Sequence, residues 1–249
     1  MSLRVEGLHC NRGSFSLDEI SFEVEDGTVF TIGGPNGAGK TTLINALYGH
    51  IRPLRGRITI NGNDISKMSP SQVSRLVSVV SQEIPEPFNF TVRDVVSISG
   101  YSKAIENISV EDALEKCGIP DLIDRQFAEL SGGEKRLVMI AAAIHQEAAM
   151  VVMDEPTAFL DVDKEQNVIR IIRNLRDDGK TVIISLHDIN LIYNLSDRVI
   201  LLKSGRIKYS GDREEVLTES NLLDVYGVRF ARLTNAGPYR FYPLDSLNG

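Results

Sequence analysis

The hydrophobic pattern changes period along the chain, and the changes mark its elements. Ser2–Val5 and Ile20–Val24 alternate apolar and polar residues, as half-buried strands do. Thr28–Ile32 is a mostly apolar run that ends in glycines. Gly34–Gly39 is a glycine-rich turn, and Thr41–Gly49 then places Leu43, Ile44 and Leu47 on one side of a predicted helix. Arg57–Ile60 reads as a strand closed by Asn61-Gly62, and Val77–Val80 as a short buried strand leading to Gln82.

Beyond residue 83 the pattern turns helical. Pro85 and Pro87 break the chain, Thr91 is placed to cap a helix with Asp94, and Val110–Cys117 is a short helix. Leu137–Ile144 is apolar on every side, as in a buried helix. Residues 84–145 therefore read as a mainly helical insertion. Met150–Met153, Val182–Leu186 and Val199–Leu202 are continuous apolar runs separated by helical stretches, which predicts an α/β fold with a parallel sheet covered on both faces. Ser204-Gly205 predicts a hairpin between a last pair of strands. Residues 1–232 read as one domain, and 233–249 as a tail of unassigned role.

Composition narrows the function classes. The 249 residues are 42% hydrophobic and 24% charged, which excludes wholesale disorder. Lys plus Arg is 27 against 34 Asp plus Glu, and the net charge of -7 argues against a nucleic-acid binder. No uncharged run reaches the ~18 residues of a membrane helix, so any work at a membrane goes through a partner. Arg4, Glu6, His9 and Asn11 interrupt the N-terminus, so no signal peptide is expected and Cys10 is not a lipidation site. Cys10 and Cys117 read as reduced thiols of a cytosolic protein.

Three stretches carry candidate chemistry. Gly34-Pro35-Asn36-Gly37-Ala38-Gly39-Lys40-Thr41, with Thr42 beside it, matches the phosphate-loop pattern between a strand and a helix. Its glycines let backbone N–H groups converge on phosphate oxygens, and the helix adds its positive dipole end. Lys40 can reach the outer phosphates and Thr41 can ligate Mg²⁺. The spacing does not fit the dinucleotide fingerprint G-x-G-x-x-G. Second, an apolar strand delivers Asp154-Glu155 at its tip. Asp154 would hold Mg²⁺ and Glu155 would polarise a water for attack on the γ-phosphate, whereas alone Asp-Glu-Pro would be a solvated turn. Third, Leu130-Ser131-Gly132-Gly133-Glu134 opens the buried helix. Ser131 and Glu134 form a capping box, but two glycines in a first helical turn, each costing about 1 kcal/mol relative to Ala, suggest close approach by an anion.

Gly34–Thr41, Gln82, Leu130–Glu134, Asp154-Glu155 and His187 occur in the order and rough spacing of the ATP-binding cassette (ABC) ATPases, which the chain resembles over about residues 3–230. The resemblance implies a phosphate-loop NTPase fold with an antiparallel β subdomain and a helical subdomain, and ATP and Mg²⁺ as ligands. It implies that Gln82 helps coordinate Mg²⁺ and links nucleotide to the helical subdomain. It makes His187 a switch histidine on the γ-phosphate and Asp161 an aspartate at a subunit interface. It implies a head-to-tail homodimer in which Ser131 and Gly133 of one copy, flanked by Gly132 and Glu134, meet the γ-phosphate held by Lys40 of the other. The family often stacks an aromatic on adenine. Here Arg12 aligns most naturally with it, and Phe15 is a nearby substitute. Ala158, Leu137 and Ala142 stand where the family usually has Ser or Asn, Arg and Arg.

Within the family the chain is similar to importer subunits for iron–siderophore complexes, haem and cobalamin, through Val92–Tyr101, Glu111–Ser131 and the stretch Glu215–Val228. This implies permease subunits as direct partners, a substrate-binding protein as an indirect one, and a place on the cytoplasmic face of the membrane. A phosphate-loop kinase fits poorly, because Glu155 and the Ser131 motif serve hydrolysis. A soluble ABC ATPase, such as an iron–sulfur assembly factor, is the alternative. Ile84, Pro85, Pro87, Phe88 and Phe90 follow Gln82 and read as either core filler or a docking surface for the permease.

Overall fold

Successive residues of the central strands feed two different cores. In β7 (Met150–Asp154) and β8 (Thr181–Leu186), Met150, Val152 and Ile183 enter one apolar cluster, while Val151, Met153, Val182 and Ile184 enter another. A strand buried on both faces needs apolar residues at every position, which explains the continuous runs in the sequence. The computed structural model describes residues 2–84, 90–102, 107–233 and 240–244. Pro85, Pro87 and Phe88 lie outside the described residues.

β3 (Val29–Gly33), β6 (Val77–Val80), β9 (Arg198–Lys203) and β10 (Arg206–Asp212) complete this sheet in the order β10-β9-β3-β8-β7-β6. All pairings are parallel except β9 with β10, joined through Ser204 and Gly205, both at positive φ. The helix α1 (Lys40–Leu47) buries Leu43, Ile44 and Leu47 in the first cluster. That cluster is closed by an antiparallel sheet of β1 (Leu3–Arg12), β2 (Phe15–Val24), β4 (Arg55–Ile60) and β5 (Asn63–Asp64), in the order β2-β1-β4-β5. The strand β1 runs on to Arg12, well beyond the alternating stretch in the sequence. Its register against β2 shifts between Val5 and Leu8 and again between Leu8 and Cys10. Each irregularity resets the face to which side chains point and hides the strand from a period-2 reading.

The short helix α2 (Pro70–Ser74) precedes β6, and the helical part follows it: α3 (Val92–Ser99), α4 (Val110–Lys116) and α5 (Gly132–His145). Capping boxes start all three, from Thr91 with Asp94, Ser109 with Asp112 and Ser131 with Glu134. Each satisfies backbone donors that a helix start leaves unpaired. The helix α5 packs on α3 and α4 on one side and carries Val138, Ile140 and Ala141 fully buried. Then α6 (Val162–Asp177), α7 (Ile189–Leu195), α8 (Arg213–Val216) and α9 (Glu219–Tyr226) cover the second face of the central sheet with the helical part.

The C-terminal residues add a small sheet. β11 (Phe230–Leu233) pairs with β12 (Arg240–Pro243) in antiparallel register. Phe241 is 2% exposed and meets Tyr193 of α7 edge-on, ring centroids 5.8 Å apart. Asn190 brackets its backbone, accepting from the Phe241 N–H and donating to the Phe241 carbonyl. Part of the tail is thus built into the core, with the packed part reaching past residue 232. Phe241→Ala is expected to cost about 3 kcal/mol in urea denaturation, as for other buried phenylalanines. A loss below about 1 kcal/mol would place this strand outside the cooperative unit.

Candidate functional site

The phosphate loop joins β3 to α1 at the C-terminal edge of the parallel strands. Gly34 has φ 144°, and a Cβ there would lie 2.4 Å from the Leu202 carbonyl oxygen of β9. Gly39 caps α1 at φ 108°, and a Cβ would lie 2.8 Å from the Phe15 ring. Only glycine fits both places. No side chain caps α1, so its first N–H groups face the loop without a side-chain acceptor. Lys40 is 6% exposed and turns back on the loop, its Nζ donating to the carbonyls of Gly34 at 3.0 Å and Pro35 at 3.3 Å.

Strand parity brings Asp154 to the face of the sheet that α1 covers, where it does not line the cavity that Glu155 lines. Asp154 pairs in register with Ser185, on the face shared by Met150, Val152 and Ile183. That is the face covered by α1. Ser185 donates its Oγ proton to Asp154 Oδ1 at 2.5 Å and accepts the Glu155 N–H at 2.9 Å. Asp154 is 2% exposed. Glu155 leaves the strand with φ 46°, a left-handed conformation that costs a non-glycine residue roughly 1–2 kcal/mol. The turn swings its carboxylate away from Asp154 and toward the loop. There Glu155 Oε1 lies 3.6 Å from Lys40 Nζ and 3.6 Å from His187 Nδ1, and Oε2 accepts from Gln82 Nε2 at 3.4 Å.

A cavity of about 760 Å³ opens over this cluster. Its walls include Asn36, Gly37, Gly39, Lys40, Thr41 and Thr42 from the loop and helix, and Gln82, Glu155 and His187 from three strand ends. Arg12 and Phe15, directly paired where β1 turns into β2, line the same cavity, as do Ala158 and Phe159. Phe159 is 99% exposed at φ 61°.

The second glycine motif stands apart. Ser131, Gly132, Gly133, Glu134 and Asp161 are not among the residues that line the cavity. Ser131 Oγ accepts from the Glu134 N–H and donates to the Glu134 carboxylate, which the Ser131 N–H also meets at 2.8 Å. These bonds hold the Glu134 carboxyl below its ordinary pKa. The two glycines differ in use. A Cβ on Gly132 would meet nothing within 4 Å, whereas one on Gly133 would lie 2.4 Å from the Lys164 side chain. Asp161 caps α6 and pairs with that Lys164.

Three residues near the site escape a reading of the sequence. Ser185 serves both acidic positions. Arg136 of α5, 4% exposed, donates to the carbonyls of Ser81 and Gln82. Tyr226 buries its hydroxyl near the Gly34 backbone. Burial, with Asp188 adding to it, pushes that phenol up to about 12 against a lowering by the Gly34 backbone. None belongs to a short motif. Only an apolar neighbourhood around a polar residue marks them.

Comparison with known proteins agrees with this geometry. The ABC transporter family profile matches residues 17–158. Hemin import ATP-binding protein HmuV of Pseudomonas putida is 34% identical over 252 residues, covering 97% of this chain and 98% of the relative. HmuV of Rhodococcus jostii is 32% identical over 234 residues, covering 91% and 80%. Cobalamin import ATP-binding protein BtuD of Halobacterium salinarum is 32% identical over 239 residues, which is 93% of this chain but 60% of that longer relative. Among solved structures, a metal-chelate type ABC transporter in an inward-facing conformation superposes with a TM-score of 0.83 at 26% identity, covering 98% of each chain. An ATP-binding cassette in its ADP conformation gives 0.79 at 29% identity, over 91% of this chain and 98% of the other. With the phosphate loop, the paired carboxylates and the Ser131 motif in these positions, the chain belongs to the ATP-binding cassette family of ABC transporters.

Proposed function

We propose that the chain is the ATP-hydrolysing subunit of an ABC importer for an iron–siderophore complex, haem or cobalamin. The observation that carries the ATPase reading is the convergence of Lys40, Gln82, Glu155 and His187 on one cavity beside an uncapped helix N-terminus. The importer reading rests on the relatives, named for hemin and cobalamin import. Among the described residues no helix is long and apolar enough to cross a membrane. Transport therefore calls for permease subunits, on whose cytoplasmic face this chain would sit, with a substrate-binding protein acting through them. Nothing in the charge balance favours nucleic acid.

In this reading ATP lies with its phosphates over Gly34–Thr42. The backbone N–H groups of the loop and of α1 take the phosphate oxygens. Lys40 exchanges its bonds to the Gly34 and Pro35 carbonyls for bonds to the β- and γ-phosphates. Arg12 or Phe15 covers the adenine. Phe15 is already packed on Gly39, which leaves Arg12 the freer of the two to lie over the base. Thr41, Gln82 and Asp154 offer one hydroxyl, one amide and one carboxylate oxygen. Among the described residues no cluster of three or more His, Cys, Asp or Glu forms a metal cage. An oxygen set completed by phosphates and water suits Mg²⁺, which when bound neutralises developing charge on the phosphates.

Glu155 accepts a proton from a water whose oxygen attacks the γ-phosphorus in line. The bond from that phosphorus to the bridging oxygen breaks, giving ADP and phosphate. Gln82 and His187 hold the carboxylate, and His187 is placed to donate to the γ-phosphate. Because Ser131, Gly132, Gly133, Glu134 and Asp161 lie outside the cavity, a second copy in head-to-tail arrangement would bring them to it. The open space over Gly132 leaves room for a phosphate there.

Glu155→Gln keeps shape and removes the base. ATP binding should persist while turnover falls by ~10²-fold or more in a phosphate-release assay, and near-wild-type hydrolysis would overturn the role of Glu155. Lys40→Ala, by contrast, should weaken ATP binding itself by calorimetry, because the phosphates lose a buried cation.

The second copy is tested by light scattering. ATP should drive dimerisation of Glu155→Gln, and adding Ser131→Arg should abolish the dimer while a single chain still binds ATP. A monomer under every condition would count against the head-to-tail arrangement.

A further inference from the structure

Arg136 is a buried cation with no acidic partner within ion-pair distance among the described residues. It projects from the second turn of α5 and is 4% exposed. Its Nη1 donates to the Ser81 carbonyl at 2.5 Å and its Nη2 to the Gln82 carbonyl at 2.9 Å. Burial lowers its pKa, and the charges of Asp154 and Glu155 act in the opposite direction. A guanidinium is kept in such a place only where its fork of donors is used.

The use is legible in the geometry. Ser81 and Gln82 follow the last residue of β6, where ladder hydrogen bonds stop. Two consecutive carbonyls held by one planar fork fix the peptide between them, and with it the direction in which Gln82 leaves the backbone. The Gln82 side chain in turn donates to Glu155 at 3.4 Å. At its other end the same helix starts with Ser131, Gly132 and Gly133. We infer that Arg136 is a positioning residue that sets Gln82 toward the reacting phosphate and ties it to the helix carrying the Ser131 motif. This rests on the ATPase reading above and adds to it a rigid connection: α5 cannot rotate without moving the Gln82 backbone. A lysine cannot replace the fork, since a point charge on a flexible stem holds two carbonyls in no fixed plane.

The test is a double-mutant cycle on the full chain, with ATP turnover measured across a Mg²⁺ series. Arg136→Lys should lower kcat by about tenfold and raise the half-saturating Mg²⁺ concentration several-fold, while KM for ATP at saturating Mg²⁺ stays within about twofold. In a Gln82→Ala background the same substitution should have almost no further effect, because the residue through which it acts is gone. Wild-type kinetics in Arg136→Lys, or an equal loss in both backgrounds, would overturn the inference. Thermal melts accompany each variant. Where Arg136→Lys fails to fold, Arg136→Met, neutral and of similar length, carries the same comparison. Unfolding of both makes Arg136 purely structural and also overturns the inference. Absence of turnover in the wild-type chain would instead fail the ATPase reading, and the premise of the inference with it. Additive losses with wild-type turnover intact would fail only the role of Arg136.

Discussion

The site depends on one register, that of β7 against β8. With Asp154 opposite Ser185, the last inward side chain of β7 is a carboxylate on the α1 face, and the hydroxyl beside it satisfies one of its oxygens. The same hydroxyl accepts the Glu155 N–H, so the left-handed turn at Glu155 begins from a fixed point. A slip of one residue would send Asp154 into the other core, among Val151 and Met153, where a carboxylate has no partner. The cost of burying that carboxylate without its Ser185 partner opposes the slip. The polar pair Asp154 and Ser185 at the strand ends thus distinguishes the register that aims the acids.

Much of the fold, and the loop between β3 and α1, was legible in the sequence. Continuous apolar runs of four or five residues have few ways to be buried, and a phosphate loop between strand and helix has one. The capping boxes at Thr91 and Ser131 were readable because their hydrogen bonds are local, three residues apart. What escaped was nonlocal or irregular. The far half of β1 was hidden by two register shifts. Phe241 lies in a tail without pattern, and its burial depends on Asn190 and Tyr193 some fifty residues earlier. Arg136 ends the charged run Glu134-Lys135-Arg136 just before the stretch that reads as apolar all round, and such a run looks solvated. Its acceptors are about 55 residues away in sequence, and no local spacing announces them.

The departures at Leu137 and Ala142 take on a different meaning beside Arg136. Both are buried, Leu137 at 3% and Ala142 at 6% exposure, and both join the apolar cluster of the helical part. An arginine at either place would add a second buried cation to a helix that already holds one. Arg136, at the neighbouring position, is bonded to Ser81 and Gln82, while Leu137 packs in the core.

Lys40 and Glu155, two charged groups that line the cavity, are partnered within the protein. Lys40 is held by two loop carbonyls and faces Glu155, and Glu155 is met by Lys40, His187 and Gln82. This pairing sets a lysine and a glutamate against each other at the cavity wall. In the proposed ATPase reading it would also make them responsive, because a triphosphate would compete for Lys40 and thereby loosen its hold on Glu155. The carboxylate would then keep Gln82 and His187, two groups at strand ends outside the loop. Of these, Gln82 is the one whose backbone is fixed to α5 through Arg136. In the proposed ATPase reading, filling the cavity with phosphate would transfer control of Glu155 from the loop to the helical part, which carries the Ser131 motif.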